Sequence, residues 1–387
     1  MRRSLLLLSL PLFLLALAPT RADEKPRESA LDPDLPYQAK RSNPVTYDVD
    51  FSAVVTAPYH TKKLRVWLPL PQTDAGQEVE EISLRSSPME VKPKISREEK
   101  FGNRFAYFEF DHPEGAQLIR HRFKVKVWEL RWDVDRSRVA RVERWPAGFD
   151  RYLKPDQSIV MNDPLRRVLK GIVTDAHGPA DDLAAALTWA QDNLTYDHAH
   201  ASLKASALHA LEQRRGHCSD YHGLCAAFGR ALGYPTRITY GINPFPKNSP
   251  SHCKLEVYLP PYGWVSFDVS ETQRLVAAIN KAPGLTAQKK ERLVKEAKER
   301  FLSGFRDNTW FLQTRGTDYD LAPAASKRAP VVRTIYAEAD GVALPDPDPA
   351  NSKHREFAWM TIHKYTPDRV VPYPFADWKT LPGARTE

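Results

Sequence analysis

Glycine and cysteine are both scarce in this sequence, whereas proline is common. Its 387 residues include 17 glycines and 3 cysteines against 32 prolines. This composition excludes collagen-like chains and glycine-rich low-complexity polymers, and it favours extended, turn-rich segments. Because 42% of the residues are hydrophobic and 27% are charged, the chain has enough apolar material for one large core or two ordinary cores. Disorder as the main state is therefore excluded.

A strong excess of one charge is also absent. The 56 Lys and Arg residues exceed the 48 Asp and Glu residues to give a formal charge of +8. Three of the arginines, Arg2, Arg3 and Arg21, lie within the first 22 residues. The remaining excess is small and scattered along the chain, so we expect no nucleic-acid partner.

Long apolar runs are confined to the N-terminus. Two arginines precede the apolar residues 5–18, which Pro11 interrupts, and small residues follow with the spacing of a cleavage site. These features predict a secretory signal peptide over residues 1–22. An uncleaved anchor is the less favoured alternative, because the run is shorter than the roughly 20 residues that span a bilayer.

The rest of the sequence contains no segment long and apolar enough to span a membrane. The three cysteines all lie far from the signal, so the cysteine that bacterial lipid attachment requires is missing. We therefore expect a soluble, exported protein, periplasmic or extracellular, with no stable membrane insertion after the signal is removed.

The first region after the signal is predicted to be a β domain. Residues 23–43 are polar and contain prolines, which indicates a flexible lead-in. Apolar and polar residues then alternate in four segments, as in Tyr47-Asp48-Val49-Asp50-Phe51. Because alternation of this kind is typical of half-buried strands, residues 44–135 are predicted to form a β-sandwich-like domain.

The hydrophobic period changes to that of a helix near residue 163. Asp163 is the expected N-cap and Pro164 the first helical residue of a helix with apolar residues at helical spacing. Three further helices are predicted before residue 233. The last of them follows Gly216 and ends at Gly233, with a proline shortly beyond.

Strands return after this helical region. Two apolar runs flank the turn Pro260-Pro261-Tyr262-Gly263 and predict a β-hairpin. Residues 276–330 are expected to be a helical appendage that covers the core, and residues 331–387 are expected to add C-terminal strands and loops.

The segment Gly216-His217-Cys218-Ser219-Asp220 places a thiol in the first turn of a predicted helix. The helix dipole favours the thiolate there, but it contributes only about 0.3–1 kcal/mol, less than the roughly 1.4 kcal/mol of one pKa unit. A cysteine with an ordinary pKa of about 8.5 therefore needs a neighbouring imidazole, with which it forms a thiolate and imidazolium pair.

Two histidines are candidates for that imidazole. His222 lies one helical turn after Cys218, but a side chain at that offset points back along the helix. His252, at the mouth of the hairpin, is therefore the preferred base, and Asp268 on the returning strand is the expected group that orients it. A plain hairpin would place His252 about three residues beyond Asp268, so we expect that contact requires a bulge or a strong twist.

Five motifs follow one another along residues 152–272. They are Tyr152-Leu153 with Ser158, Asn193-Leu194-Thr195-Tyr196-Asp197, Gly216-His217-Cys218-Ser219-Asp220, Leu232-Gly233-Tyr234-Pro235-Thr236-Arg237 with Gly241, and His252-Cys253-Lys254-Leu255-Glu256-Val257-Tyr258 ending in Tyr262-Gly263-Trp264-Val265-Ser266-Phe267-Asp268. In order and spacing this region resembles the transglutaminase-like superfamily, a branch of papain-like folds. The resemblance implies an α+β protein in which a papain-like transglutaminase core, residues 150–275, follows the β-sandwich-like domain, as in bacterial members.

The resemblance also implies roles for individual residues. Cys218 would be the nucleophile, His252 the general base and acid, and Asp268 the orienting group. The backbone N–H of Cys218 is the expected first oxyanion donor, and Gln213 or Tyr196 is a candidate for the second. We expect no cofactor and no bound metal.

One position departs from the family pattern. The family commonly has a tryptophan two residues after the histidine, whereas this sequence has Lys254. We therefore expect a cation in place of the usual aromatic wall. Glu256, which is retained, is interpreted as a structural partner of a basic residue.

The cysteines and histidines have two other interpretations, a metal site and a disulfide. Thiolates and imidazoles suit zinc, but Cys225 lies among apolar residues where a buried hydrophobe is expected. A disulfide between Cys225 and Cys253 would leave Cys218 free, whereas a disulfide that includes Cys218 would silence the site.

The sequence therefore predicts an exported thiol enzyme. Cys218 would attack an amide carbonyl of a protein or peptide substrate, and the resulting thioester would pass to water or to an amine. Hydrolysis by a protease or amidase is favoured over transglutaminase cross-linking, because water needs no second binding site. The alternative is a non-catalytic binding module of the cell envelope that retains the fold.

Overall fold

The computed structural model describes residues 31–175, 178, 180–246, 250–345 and 359–384. The predicted signal peptide, residues 1–22, lies outside the described residues. None of the helices in these ranges combines the length and the apolar character that a membrane crossing requires.

The described elements alternate between strand-rich and helix-rich parts of the chain. The strands are β1 (Lys40–Thr56), β2 (Lys63–Leu70), β3 (Gln77–Ser87), β4 (Lys94–Arg97), β5 (Arg104–Asp111), β6 (Ala116–Arg131), β7 (Thr195–Tyr196), β8 (Arg215–Gly216), β9 (Thr236–Ile242), β10 (Ser251–Leu259), β11 (Gly263–Phe267), β12 (Phe305–Arg306), β13 (Phe311–Arg315), β14 (Tyr336–Ala339), β15 (Val342–Ala343) and β16 (Trp359–Pro367). The α-helices are α1 (Asp150–Leu153), α2 (Asp163–Ile172), α3 (Asp181–Asn193), α4 (Ala207–Gln213), α5 (Cys218–Ala231), α6 (Val269–Lys281) and α7 (Ala287–Leu302). The predicted α+β class is confirmed.

Two antiparallel sheets form the predicted sandwich. One has the order β12-β6-β1-β16 with β3 also paired to β6, and the other has the order β15-β14-β2-β5-β4. The long strands β1 and β6 pair along their length, for example Val49 with Phe123. Alternate residues of β1 are buried, and they pack against inward side chains of the second sheet such as Leu68 and Phe108. The period-two pattern thus reports the buried faces of these sheets.

The sandwich also contains strands that lie outside residues 44–135. Strand β14 pairs with β2, β16 pairs with β1, and β12 pairs with β6. The expectation that residues 44–135 form the whole domain is therefore wrong, because segments more than 170 residues later along the chain cover otherwise open strand edges. Such pairing leaves no local signal in the sequence.

Of the predicted flexible lead-in, residues 23–43, the first eight residues lie outside the described ranges, and residues 31–43 are held by specific contacts. Trp264 donates from its indole Nε1 to the carbonyl of Pro33 at 2.8 Å, and Tyr37 packs in the same apolar cluster as Trp264. Strand β1 begins at Lys40. A few aromatic contacts and a strand edge order this segment although its composition is polar.

The helical region contains the helices that the sequence predicted, with local corrections. The N-cap of α2 is Asn162, whose side chain accepts from the Leu165 N–H, rather than Asp163. Helices α6 and α7 pack together through Leu275, Ile279 and Leu293. The segment after α7 is not part of a helical appendage, because β12 joins the sandwich and β13 joins the core sheet.

The core sheet has the order β11-β10-β9-β13 and packs against α5. All of the residues of β9 and β11 are buried, and so are most of those of β10 and α5. A helix that is buried on every side has a fixed position, so its first turn is held firmly against β10.

Candidate active site

The nucleophile candidate lies at the start of the buried helix α5. Cys218 is the first residue of this helix and is 7% exposed. The N-cap is His217, whose side chain accepts from the Ser219 N–H, and Asp220 completes a capping box. Gly216 has φ of +152°, and a Cβ there would lie 2.5 Å from the Asp220 carboxylate. Glycine is therefore required for the turn that presents Cys218.

His252 and Asp268 are in direct contact. His252 lies on β10, and its Nε2 is 2.8 Å from Asp268 Oδ2. Both residues are nearly inaccessible to solvent. These two side chains are therefore in contact, although a plain hairpin count left them about three residues apart.

The hairpin reaches this contact without the bulge that we expected. Leu255 pairs with Phe267 and Leu259 with Gly263 in unbroken register, which puts Asp268 opposite Lys254 rather than His252. The chain leaves the strand at Phe267, and Asp268 becomes the N-cap of α6. The turn from strand to helix, and not a bulge, therefore directs the carboxylate to the imidazole two residues away.

The charges of Cys218 and His252 support each other. Hydrogen bonding from the Cys253 thiol and the cationic ring of His252 hold the pKa of the Cys218 thiol well below its usual range, although burial opposes this. Burial would lower the pKa of His252, but the Asp268 carboxylate and the Cys218 thiolate raise it to about 9. Both directions favour a thiolate and imidazolium pair at neutral pH.

The ring nitrogens of His252 have separate partners. Because Nε2 is bound to Asp268, Nδ1 is the nitrogen left for the sulfur of Cys218. Glu271 Oε1 lies 4.0 Å from Nδ1. The arrangement can therefore deprotonate a thiol through one nitrogen while the other is held by a carboxylate.

His222 is close to the site, but its ring is neutral whereas that of His252 is protonated. Its Nε2 accepts from the Val269 N–H at 3.2 Å, which assigns the proton of the neutral ring to Nδ1, 3.5 Å from Cys253 Sγ. Burial lowers the pKa of His222 to about 4. A neutral ring with both nitrogens engaged is poorly placed to act as the base, in agreement with the preference for His252.

Lys254 does not take the position that we expected for it. It is 1% exposed, and its Nζ lies 2.6 Å from Asp268 Oδ2 and 2.9 Å from Asp307 Oδ1. The cation therefore stands behind the triad instead of lining the substrate side. Asp307 was not found by the sequence analysis, since it lies 53 residues from Lys254 and belongs to no motif.

Glu256 has the structural environment that the sequence suggested. Its Oε2 accepts from Arg237 Nε at 2.7 Å, and its Oε1 accepts from the hydroxyl of Tyr37 at 2.7 Å. Glu256 is 1% exposed. These contacts tie β10 to β9 and to the N-terminal segment.

The two oxyanion candidates lie in different environments. Burial and the nearby Cys218 sulfur raise the pKa of the Tyr196 hydroxyl well above its ordinary value, while the Cys218 backbone N–H acts in the opposite direction. Tyr196 is 41% exposed, and its ring centre lies 5.9 Å from that of Tyr221 on α5, the helix that begins at Cys218. Gln213 is an exposed residue at the end of α4. Of the two, Tyr196 has the better position to face a carbonyl oxygen at Cys218.

The other interpretations of the thiols can be compared with the same geometry. Cys218, Cys225 and Cys253 are all free and buried, so no disulfide occupies the nucleophile position. Within the described ranges, no group of three or more His, Cys, Asp or Glu side chains is arranged to hold a metal ion.

Comparisons with known proteins agree with this geometry. Residues 166–269, which include Cys218, His252 and Asp268, match the model of the transglutaminase-like superfamily. The protein ML0607 of Mycobacterium leprae (strain TN) is 33% identical over 93 residues, which is 24% of this chain and 33% of that protein. This chain thus matches about a third of the length of that curated relative.

Solved structures add information on the fold. A crystal structure of a "Putative Cysteine Protease" from Cytophaga hutchinsonii has a TM-score of 0.59 and 14% identity, and the match covers 89% of this chain and 98% of that chain. The periplasmic domain of TgpA from Pseudomonas aeruginosa has a TM-score of 0.29 and 18% identity, with 59% of this chain and 90% of that chain covered. Residues 166–269 of this chain therefore resemble the transglutaminase-like superfamily.

Proposed function

We propose that the protein is an exported thiol enzyme that acts on amide bonds of a protein or peptide substrate through a Cys218 thioester. We further propose that water is its usual acceptor. The observation that carries this proposal is the contact between buried His252 and Asp268 beside a thiol whose pKa lies well below its usual range. Export rests on the signal-peptide pattern of residues 1–22.

The acylation step uses the charge states of the resting site. The Cys218 thiolate attacks the carbonyl carbon, and a carbon–sulfur bond forms while the carbonyl oxygen becomes an oxyanion. The Cys218 backbone N–H and the Tyr196 hydroxyl are the proposed donors to that oxyanion. When the tetrahedral species collapses, the carbon–nitrogen bond breaks and the His252 imidazolium gives its proton to the leaving amine.

Deacylation returns the site to its starting state. His252, now neutral, takes a proton from water while the water oxygen attacks the thioester carbon. The carbon–sulfur bond breaks, and the acid product leaves Cys218 as a thiolate beside an imidazolium. An amine in place of water would give a new amide by the same proton transfers.

Hydrolysis is favoured over transfer to an amine because it needs no binding site for a second substrate. Transfer to an amine requires a site that admits the amine and keeps water out. Hydrolysis requires only that water reach the thioester.

Mass spectrometry of the intact protein with a peptide library and a short primary amine tests this proposal. The expected result is an acyl adduct on Cys218 together with hydrolysed peptides, and few peptides coupled to the amine. Cys225→Ala is the matched control, because Cys225 is a buried thiol on the same helix; burial raises its pKa. This variant should retain the adduct, whereas Cys218→Ala should lose it.

Two outcomes would contradict parts of the proposal. Peptides coupled to the amine in excess over hydrolysed peptides would make the enzyme a transferase. The absence of any Cys218 adduct, together with alkylation of Cys218 no faster than that of an ordinary thiol at pH 7, would support the non-catalytic binding module instead.

A further inference from the structure

A buried ion-pair network lies behind the candidate triad. Lys254 Nζ contacts two carboxylates, Asp268 at 2.6 Å and Asp307 at 2.9 Å. All three side chains are 1% exposed. Isolated buried charges are costly, so a network of this kind persists only when its members compensate one another.

Each oxygen of Asp268 has its own set of partners. Oδ1 accepts from the Glu271 N–H at 3.1 Å, as the N-cap of α6. Oδ2 accepts from His252 Nε2 at 2.8 Å and from Lys254 Nζ at 2.6 Å. The carboxylate is thus held at both oxygens, and Lys254 occupies the oxygen that faces the imidazole.

The surroundings of Lys254 restrict its position. Its Nζ lies 5.0 Å from the ring centre of Phe375 and 5.4 Å from that of Trp310, and the Trp310 indole Nε1 donates to the His252 carbonyl at 3.1 Å. Asp307 is itself held by the Thr309 hydroxyl. A lysine enclosed in this way has little freedom to leave Asp268.

We propose that Lys254 is a positioning residue of the active site: it keeps Asp268 ionised and oriented towards His252, and Asp307 balances its charge. The proposal rests on the proposed function, since it concerns the same triad. Asp268, Asp307, Lys254 and protonated His252 together have zero net charge, and the Cys218 thiolate adds one negative charge to the site.

Several charged or titratable groups face His252 besides Lys254. Cys218, His222, Asp268 and Glu271 act on His252 or lie beside its ring. Cys253 and His217 act on Cys218, while Asp307 contacts Lys254 and Tyr373 interacts with Asp268 and Glu271. A change at Lys254 or Asp307 alters one unit charge in this set and leaves the others in place.

The sign of the effect follows from the charge that is removed. A cation near the site favours the thiolate and disfavours the imidazolium. The pKa of Cys218 should therefore rise in Lys254→Met, which loses a cation, and fall in Asp307→Asn, which loses an anion. Lys254→Arg retains the charge and should change the pKa of Cys218 little.

The test is the pH dependence of Cys218 alkylation by iodoacetamide, measured for the wild type and for these three variants. We expect the midpoint of the rising limb to move up by about one pH unit in Lys254→Met and down by about one unit in Asp307→Asn, each a tenfold change in the protonation equilibrium. Lys254→Arg should remain within about 0.3 unit of the wild type. Circular dichroism verifies that each variant is folded.

The outcomes separate this proposal from the proposed function. If the wild-type midpoint is near the ordinary thiol value of about 8.5, the proposed function fails. If the wild-type midpoint is low but the two neutralising variants shift in the same direction or do not shift, only the positioning role fails. Should Lys254→Met not fold, Asp307→Asn decides alone, and a midpoint that is unmoved or raised overturns the proposal.

Discussion

The contact between Asp268 and His252 can be tested by the substitution Asp268→Asn. The asparagine side chain retains the size of the aspartate and is also a good N-cap, so α6 should keep its first turn. What it loses is the negative charge 2.8 Å from His252 Nε2. The substitution therefore isolates the electrostatic part of the contact.

The size of the expected loss of activity follows from the raised pKa of His252. The difference between about 9 and the ordinary value of 6.5 corresponds to roughly 3 kcal/mol of stabilisation of the imidazolium. Without the carboxylate charge, only the Cys218 thiolate opposes the effect of burial, so the pKa should fall towards 6.5. The equilibrium between the ion pair and the neutral pair should then shift against the ion pair by about 100- to 300-fold, and turnover at pH 7 should fall by a similar factor.

NMR titration of histidine-labelled protein measures this pKa directly. The chain has 12 histidines, and His252→Gln assigns the signal of interest. The expected midpoint is about 9 in the wild type and close to 6.5 in Asp268→Asn. A midpoint above 8 in a folded Asp268→Asn variant would refute the argument that the carboxylate charge stabilises the imidazolium.

Three further predictions concern neighbouring positions. Tyr196→Phe should lower kcat by about 100-fold and leave KM nearly unchanged, as expected for the loss of an oxyanion donor; a change confined to KM in steady-state kinetics would exclude that role. In the wild type, unfolding free energy should vary little from pH 6.5 to 8.5, because the folded state lacks the Cys218 proton but retains the His252 proton. In Cys218→Ala only the raised pKa of His252 remains, so stability that is complete below pH 6.5 should decline as the pH rises through that pKa, and a flat urea-unfolding profile would contradict this. Gly241→Ala should lower unfolding free energy by about 2 kcal/mol or more, because a Cβ there would lie 2.1 Å from the Phe311 carbonyl oxygen; an unchanged Tm would show that β13 can move away.

Local sequence patterns predicted those features of the structure that depend on a single helix or strand. Alternation in β1 and β6 indicated their buried faces, and the segment around Cys218 predicted a helix with the thiol in its first turn, as α5 has. These features depend on residues within a few positions of each other. They could therefore be derived without knowledge of the fold.

Local sequence patterns did not predict how His252 on β10 is aligned with Asp268 at the candidate site. Counting along the hairpin put His252 out of reach of Asp268, because the count assumed that the strand continued. In the structure, the chain turns into α6 at Asp268, and that turn depends on how α6 packs against the rest of the core.

The residues of the candidate site, and the chemistry proposed for it, were thus readable from the chain, in the order of Cys218, His252 and Asp268 and in the motifs around them. The electrostatic support of that chemistry was not, since Lys254 meets Asp307 across 53 residues and C-terminal strands close the sandwich that begins with β1. Such long-range contacts form because buried charges need opposite charges nearby and open strand edges need strands to pair with. They depend on which residues are close in the folded protein and not on their spacing along the chain.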